Sequence, residues 1–277
     1  MNQYNIKRIL FATDGSEYSM GAQRAAIALT KRCHGELHIM SIMLTTQDLE
    51  GVGTQNMRQE REKEVQARLD KAAQAALAEG VNCTTHLVYG ENPQHEIVNT
   101  AAEINADLAV LGRRGVRGLA RSMVGHATAY VAGNAPCNVL VVPRGVALKG
   151  NGILVATDGS RHGDAAAWAA GLLAQRFNVP LMALSVISPH HNEQRRHEGV
   201  LAVERTKAAF ADRGVTVVGI VAEGRPDQVI VEEARKADAD MIVVGTHGRT
   251  GIDRLLMGSI TERVIGFADR PVLVVRS

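Results

Sequence analysis

Short runs of apolar residues alternate along this chain with longer segments in which apolar residues recur every three or four positions. In the second half the runs at 152–157, 181–187, 215–221, 241–245 and 272–275 are β-branched and apolar throughout. That pattern predicts strands buried on both faces, as in a parallel sheet covered by helices. The segments between them, such as 164–176, 193–212 and 226–237, have helical spacing. Pro226, and Pro93 in the first half, suit a first helical turn, where the missing N–H is not needed. A β-α-β-α order of this kind predicts a doubly wound domain with right-handed crossovers.

The pattern occurs twice. Ile9-Leu-Phe-Ala-Thr-Asp-Gly-Ser16 returns as Ile153-Leu-Val-Ala-Thr-Asp-Gly-Ser160, seven of eight positions identical at an offset of 144. Asp107-Leu-Ala-Val-Leu-Gly112 answers Asp240-Met-Ile-Val-Val-Gly245, and Val139–Val142 answers Val272–Val275, both at an offset of 133. The first copy therefore holds about 11 additional residues, and the polar stretch 44–57, with Gly51 and Gly53, predicts a loop insertion there. The expected fold class is α/β: two tandem doubly wound, five-stranded, parallel-sheet domains of Rossmann-like type, 1–147 and 148–277. The connection at 144–151 is short and predicts two closely placed domains.

The segment with the most chemical content runs from Gly245 through Gly248 and Gly251 to Gly258-Ser259-Ile260-Thr261-Glu262. It follows a predicted strand and ends at a predicted helix. Ligands of open α/β sheets sit beyond the carboxyl ends of the strands, at the switch point. Glycines allow close backbone approach, and free amides at a helix N-terminus attract anions. The hydroxyls of Ser259 and Thr261 are candidate additional donors. The same letters support a second reading: Ser259-x-x-Glu262 spells a capping box, which needs no ligand, and the glycines would then only shape a turn. The usual P-loop and dinucleotide fingerprints are absent.

The whole chain resembles a tandem universal stress protein. The resemblance rests on the strand ending Ala-Thr-Asp-Gly-Ser, the strand ending in glycine before the loop, and the terminal Pro-Val-Leu-Val-Val strand. Nucleotide-binding members of that family carry G-x2-G-x9-G-[S/T], matched here by Gly245, Gly248, Gly258 and Ser259. The resemblance implies an adenine nucleotide α-hydrolase-like fold and a ligand such as ATP, with any Mg2+ arriving on its phosphates. It implies that Asp158 borders the adenosine, with backbone contacts from Ala156 and Thr157, and that the backbone of Val186 meets the adenine. Gly245 and Gly248 would border the ribose and phosphates. Gly258, Ser259, Ile260 and Thr261 would cradle the phosphates, with His247 and Arg249 either reaching phosphate oxygens or standing in solvent. The first copy departs from the pattern: Gly112, Gly115 and Gly125 keep the spacing, but His126 stands for Ser259 and Ala129 for Glu262. Its Asp14 and Ile42 occupy the positions of Asp158 and Val186. Arg113, Arg114, Arg117 and Arg121 crowd its loop, either as an anion site or as a solvated face. The resemblance also implies that the terminal strands, 138–143 and 271–276, pair as an intramolecular pseudo-dimer, with a further homodimer open.

Composition narrows the remaining classes. The net charge is +2 and divides evenly: residues 1–148 carry 15 Lys/Arg and 14 Asp/Glu, the rest 16 and 15. With aromatics at 3% and no basic stripe, nucleic-acid binding has no support. No apolar run reaches membrane-spanning length, residues 1–12 show no export pattern, and Cys33, Cys83 and Cys137 match no metal or redox motif, so a cytoplasmic protein is expected. His190, His191 and His197 cluster, but their spacing fits no standard zinc site. No catalytic triad motif occurs and nothing marks a water-activating residue, so at most slow ATP turnover is expected. Two further readings stay open: an interaction protein that leaves the cleft empty, and an enzyme for an adenylated or lipid-like ligand with His247 as acid/base.

Overall fold

The computed structural model describes residues 6–45, 54–115, 124–146, 148–248 and 257–277. The first half runs β1 (Arg8–Ala12), α1 (Met20–Cys33), β2 (Glu36–Leu44), α2 (Thr54–Ala78), β3 (Cys83–Gly90), α3 (Pro93–Glu103), β4 (Leu108–Gly112), α4 (His126–Asn134) and β5 (Asn138–Val142). The second repeats it as β6 (Ile153–Ala156), α5 (Arg161–Phe177), β7 (Leu181–Ile187), α6 (Glu193–Phe210), β8 (Val217–Glu223), α7 (Pro226–Lys236), β9 (Met241–Gly245), α8 (Ser259–Phe267) and β10 (Val272–Val275). Local chemistry explains the helix limits. Pro93 and Pro226 open α3 and α7. Ser160 caps α5 by accepting from Gly163 N–H, and Asn178 ends it in the left-handed region.

The strands form one ten-stranded sheet in the order β3-β2-β1-β4-β5-β10-β9-β6-β7-β8. Within each half all pairings are parallel. The halves join where β5 and β10 run antiparallel, Leu140 opposite Leu273 and Val139 opposite Val274. The two expected five-stranded sheets are thus fused through their terminal strands, the expected intramolecular pairing. Apolar packing is continuous on both faces. One cluster joins α1 and α2 to α5 and α6 through Phe11, Leu29, Leu69, Ala170 and Val203. The other lies under α3, α4, α7 and α8, with Leu10, Val131, Ile230 and Val264. The repeated Asp107 and Asp240 tie each sheet at its base: Asp107 accepts Lys7 and Arg8 N–H, and Asp240 accepts Lys149, Gly150 and Asn151 N–H.

Two expectations need correction. The 44–57 insertion is not all loop: Thr54 onward belongs to α2, which has 25 residues against 18 in α6. Its polar composition is that of a solvated helix start; residues 46–53 lie outside the described residues. The 215–221 run is not buried on both faces either. β8 is an edge strand with Val218 and Val221 close to half exposed, because the sheet ends there.

The repeat supplies an internal comparison. By register, His38 on β2 matches Met182 on β7, and His86 on β3 matches Ile220 on β8. The first copy therefore carries two stacked imidazoles, His38 Nδ1 and His86 Nε2 being 3.0 Å apart, where the second has apolar side chains. Burial pushes both below the ordinary imidazole value, aided at His38 by His86 and Arg8 and opposed by Glu36; Glu103 opposes it at His86.

Two outcomes are expected. Leu10 is fully buried in the first half, so Leu10→Ala should destabilise by about 2–5 kcal/mol. Because sheet and core are continuous, urea unfolding read by fluorescence of Trp168, the sole tryptophan and in the other half, should shift by the same midpoint as far-UV circular dichroism. An unmoved Trp168 transition would show two independently folding halves. For the histidines, depressed folded values mean that the unfolded chain binds more protons. Their contribution is present above about pH 6.5 and lost as pH falls through the folded values. The double variant His38→Met, His86→Ile, which borrows the second copy's residues, should keep more of its neutral-pH stability at about pH 5 than the parent does. Equal acid losses in urea titrations would contradict this.

Candidate functional site

In the second copy the chain leaves β6 toward β7 on one side and reaches β9 on the other, so the switch point lies between β6 and β9. Everything of interest gathers there. The turn after β6 is built by its own side chains. Thr157 N–H donates to the Leu184 carbonyl, and its hydroxyl accepts from Gly159 N–H. Asp158 Oδ1 accepts from Ser160 N–H at 3.0 Å. Gly159 has φ +70°, which glycine adopts at no steric penalty. The first copy repeats the turn with Thr13, Asp14, Gly15 and Ser16. The shared Ala-Thr-Asp-Gly-Ser letters are therefore first a device for launching a helix from a strand.

The glycines of the loop after β9 have separable reasons. A Cβ at Gly245 would stand 2.7 Å from the His162 carbonyl oxygen, and one at Gly112 would stand 2.8 Å from that of Tyr18. Gly245 thus admits the start of α5 across the strand end, whatever the site binds. A Cβ at Gly248 would lie 3.0 Å from Asp158 Oδ2. The second glycine brings the loop backbone onto the aspartate, which joins two motifs 90 positions apart. Gly258 closes the neck of the loop, its N–H donating to the Thr246 carbonyl at 2.9 Å. Arg249 and Gly251 lie outside the described residues.

Gly258 is also the N-cap of α8, and no side chain caps that helix. The capping box is not formed: Ser259 is the first helical residue, and Glu262 N–H takes the first intrahelical bond, to the Gly258 carbonyl. The amides of Ser259, Ile260 and Thr261 precede that bond, at the positive end of the helix dipole. Ser259 and Ile260 are exposed, while Thr261 is buried and its hydroxyl donates to the Gly245 carbonyl at 2.8 Å. The Thr261 hydroxyl proton is therefore committed within the fold, and its candidate contribution narrows to the amide. Ala156 and Val186 lie half-buried at the ends of β6 and β7, packed on the cluster under α7 and α8. His247 is half-buried, its ring 5.4 Å from that of His162. His162 Nδ1 in turn meets the hydroxyls of Thr246 at 3.3 Å and Ser277 at 2.5 Å.

A family model for the universal stress protein family matches residues 5–143 and again 151–276. The chain belongs to the universal stress protein family. A universal stress protein of Methanocaldococcus jannaschii is 38% identical over 137 residues, which is 45% of this chain and 81% of that protein. One from Bacillus subtilis is 35% identical over 147 residues, 50% of this chain and 99% of its own. The solved universal stress protein of Archaeoglobus fulgidus superposes with a TM-score of 0.77, covering 99% of this chain and 97% of that one; at 20% identity it speaks for the fold.

Against its partner, the first universal stress protein domain keeps the backbone of the site and changes the side chains. α4 also begins after an uncapped glycine, Gly125, whose N–H donates to the Arg113 carbonyl, and Thr128 donates to the Gly112 carbonyl as Thr261 does to Gly245. The contrast expected from a lost capping box disappears, since neither copy forms one. What differs is chemistry. His126 stands for Ser259. The Arg68 stem lies over the Gly15 turn, 2.7 Å from where a Cβ would be, at a position that is Ala202 in α6. The Arg113 guanidinium turns away from its own loop, to the Gly266 and Ala268 carbonyls of the second domain. Arg113 is therefore not part of an anion site in the first loop; Arg117 and Arg121 lie outside the described residues.

Sequence reading missed two residues near the cleft. His162 is identified only by the crossing of α5 over Gly245. Its position along the chain groups His191 with His190 and His197, yet among the described residues no three His, Cys, Asp or Glu side chains could hold a metal ion. Instead His191 Nδ1 accepts from Ser188 N–H, folding the segment back. Burial, then Arg195 and Arg196, push it below the ordinary imidazole value, and the charge of Asp158 opposes them.

Gly245→Ala should destabilise the ligand-free protein by about 1–3 kcal/mol, since a methyl group must displace backbone. Urea titration checks it; an unchanged midpoint would mean that Gly245 serves only a ligand.

Proposed function

We propose that the second domain binds ATP or a related adenine nucleotide, and that the protein works in the cytoplasm as a regulatory stress protein with slow or no turnover. The observation that carries this reading is the start of α8. An uncapped glycine leads into exposed amides, and the loop before it is drawn by Gly248 onto Asp158 at the switch point of the sheet. A helix start of that kind is suited to phosphate. The chemistry fits the ligand: small residues where a chain of phosphates must approach, a carboxylate beside it for ribose hydroxyls, and apolar strand ends at Ala156 and Val186 for a base. The amides of Gly258, Ser259, Ile260 and Thr261 would hold the phosphates, with the Ser259 hydroxyl as an extra donor and His247 and Arg249 as candidate contacts to phosphate oxygens. Gly245 and Gly248 would border ribose and phosphates, and Thr157 and Asp158 the adenosine. Mg2+ would be carried by the nucleotide, not by a protein cage. Slow or no turnover is part of this reading because no catalytic motif accompanies the constellation in the sequence. The second domain is preferred because His126, Arg68 and Arg113 alter the first.

Calorimetry with ATP and Mg2+ should give one site per chain. Ser259→Glu separates ligand chemistry from helix chemistry. A carboxylate in the first turn favours the helix dipole, by about 0.3–1 kcal/mol. It repels phosphates placed on the same amides. The variant should therefore bind ATP at least about tenfold more weakly while its melting temperature holds or rises. No binding by the parent at millimolar ATP, or two sites per chain, would refute the reading; the former would favour an interaction protein with an empty cleft.

A further inference from the structure

The last helix of each domain ends on an arginine from the other. Arg113, in the glycine loop of the first domain, donates to the Gly266 and Ala268 carbonyls at 3.0 and 2.7 Å, at the C-terminal end of α8. Arg276, following β10, donates to the Ala135 carbonyl at 2.5 Å, at the C-terminal end of α4. Ala135 and Ala268 are equivalent positions and both are C-caps. The arginines are not equivalent: Arg113 matches Thr246, and Arg276 matches Pro143. Two unrelated sequence changes deliver a guanidinium to the same place on each helix.

We infer that Arg113 is a positioning residue for the anion site at the other end of α8, so that the first domain's loop has become a clamp for the second domain's site. The inference rests on the nucleotide reading above for its functional consequence. Its physical basis is the helix. α8 has nine residues, about 13 Å of rigid rod. Its first turn is tied to its own domain by Gly258 N–H to Thr246 and by Thr261 Oγ1 to Gly245. Its last turn is tied across the seam by Arg113. A cation there complements the negative end of the dipole whose positive end faces the site. The contact is part-buried, and burial and Arg114 pull the guanidinium below its usual value, with Asp269 opposing. Asp269 is itself held by Arg235 and Arg270 at 3.0 and 2.8 Å, so the clamp closes on a braced end.

The test compares Arg113→Met with Arg276→Met in the full chain, since each removes one cross-domain arginine but from opposite helices. In ligand-free protein, hydrogen exchange should quicken about tenfold along α8 in the first variant and along α4 in the second, the scale of losing a charged hydrogen bond. Calorimetry with ATP and Mg2+ should then show affinity about tenfold weaker in Arg113→Met and within about twofold of the parent in Arg276→Met, as for coupled and uncoupled positions. Arg113→Lys, which keeps the charge but not the fork, should restore part of the loss. Exchange in α8 unchanged by Arg113→Met would overturn the clamp. Equal affinity losses in both variants would overturn its specific role, leaving general loosening of the seam. If the parent binds no ATP while α8 exchange still responds to Arg113, the nucleotide reading fails and the clamp stands.

Discussion

The antiparallel pairing of β5 with β10 is the constraint on which the rest depends. Both strands are almost wholly buried and apolar. Left alone, each would be the open edge of a five-stranded sheet, with unpaired backbone groups and valine side chains, a template for aggregation. Pairing removes both edges in one step. It also sets the two halves about a pseudo-two-fold axis and makes the apolar layers on both faces continuous. The helix ends beside this seam, at Ala135 and Ala268, are brought within reach of Arg276 and Arg113 only because the strands beside them are in register.

Much of this was legible in letters. Strands such as 241–245 and 272–275 are short and apolar because both faces are covered, and the repeat made the α/β reading twice over. The glycine spacing placed the loop correctly at a strand end. What escaped the sequence depended on tertiary geometry. Ser259-x-x-Glu262 has the spelling of a capping box, but the close approach at Gly258 shifts the helix start by one residue, so the serine enters the helix. Gly245 has a packing reason that the letters do not show, the carbonyl of His162 lying across the strand end. Val218 and Val221 have the composition of a central strand, and only the strand order shows that β8 has no outer neighbour.

The candidate site shows the same division. Its turn residues, Thr157 to Ser160, are read locally, because each serves a backbone conformation nearby; Gly245 and Gly248 answer instead to His162 and Asp158, far away in sequence. Its surroundings are not read locally either. Arg113 lies in a basic stretch whose letters suggest an anion site or solvent, and 153 positions separate it from Gly266. His191 sits in a polar run suggestive of metal, yet folds onto its own loop, its Nδ1 accepting from Ser188 N–H. Charge and ring chemistry name what a side chain can do; distance along the chain hides what it meets.

A duplication inside one chain also allows what a homodimer forbids. In a symmetric dimer one residue must serve at both related positions, so the two glycine loops cannot differ in chemistry. Here position 113 is arginine and its counterpart is Thr246, and position 276 is arginine and its counterpart is Pro143. Each arginine answers an open helix end in the other domain. The first loop places its arginine at the seam and carries His126 where the second carries Ser259. The second loop has small and hydroxyl residues at its helix start. Divergence of side chains on a preserved backbone is therefore the expected outcome of covalent pairing: the seam requires both copies of the scaffold, while nothing in it requires two copies of the site.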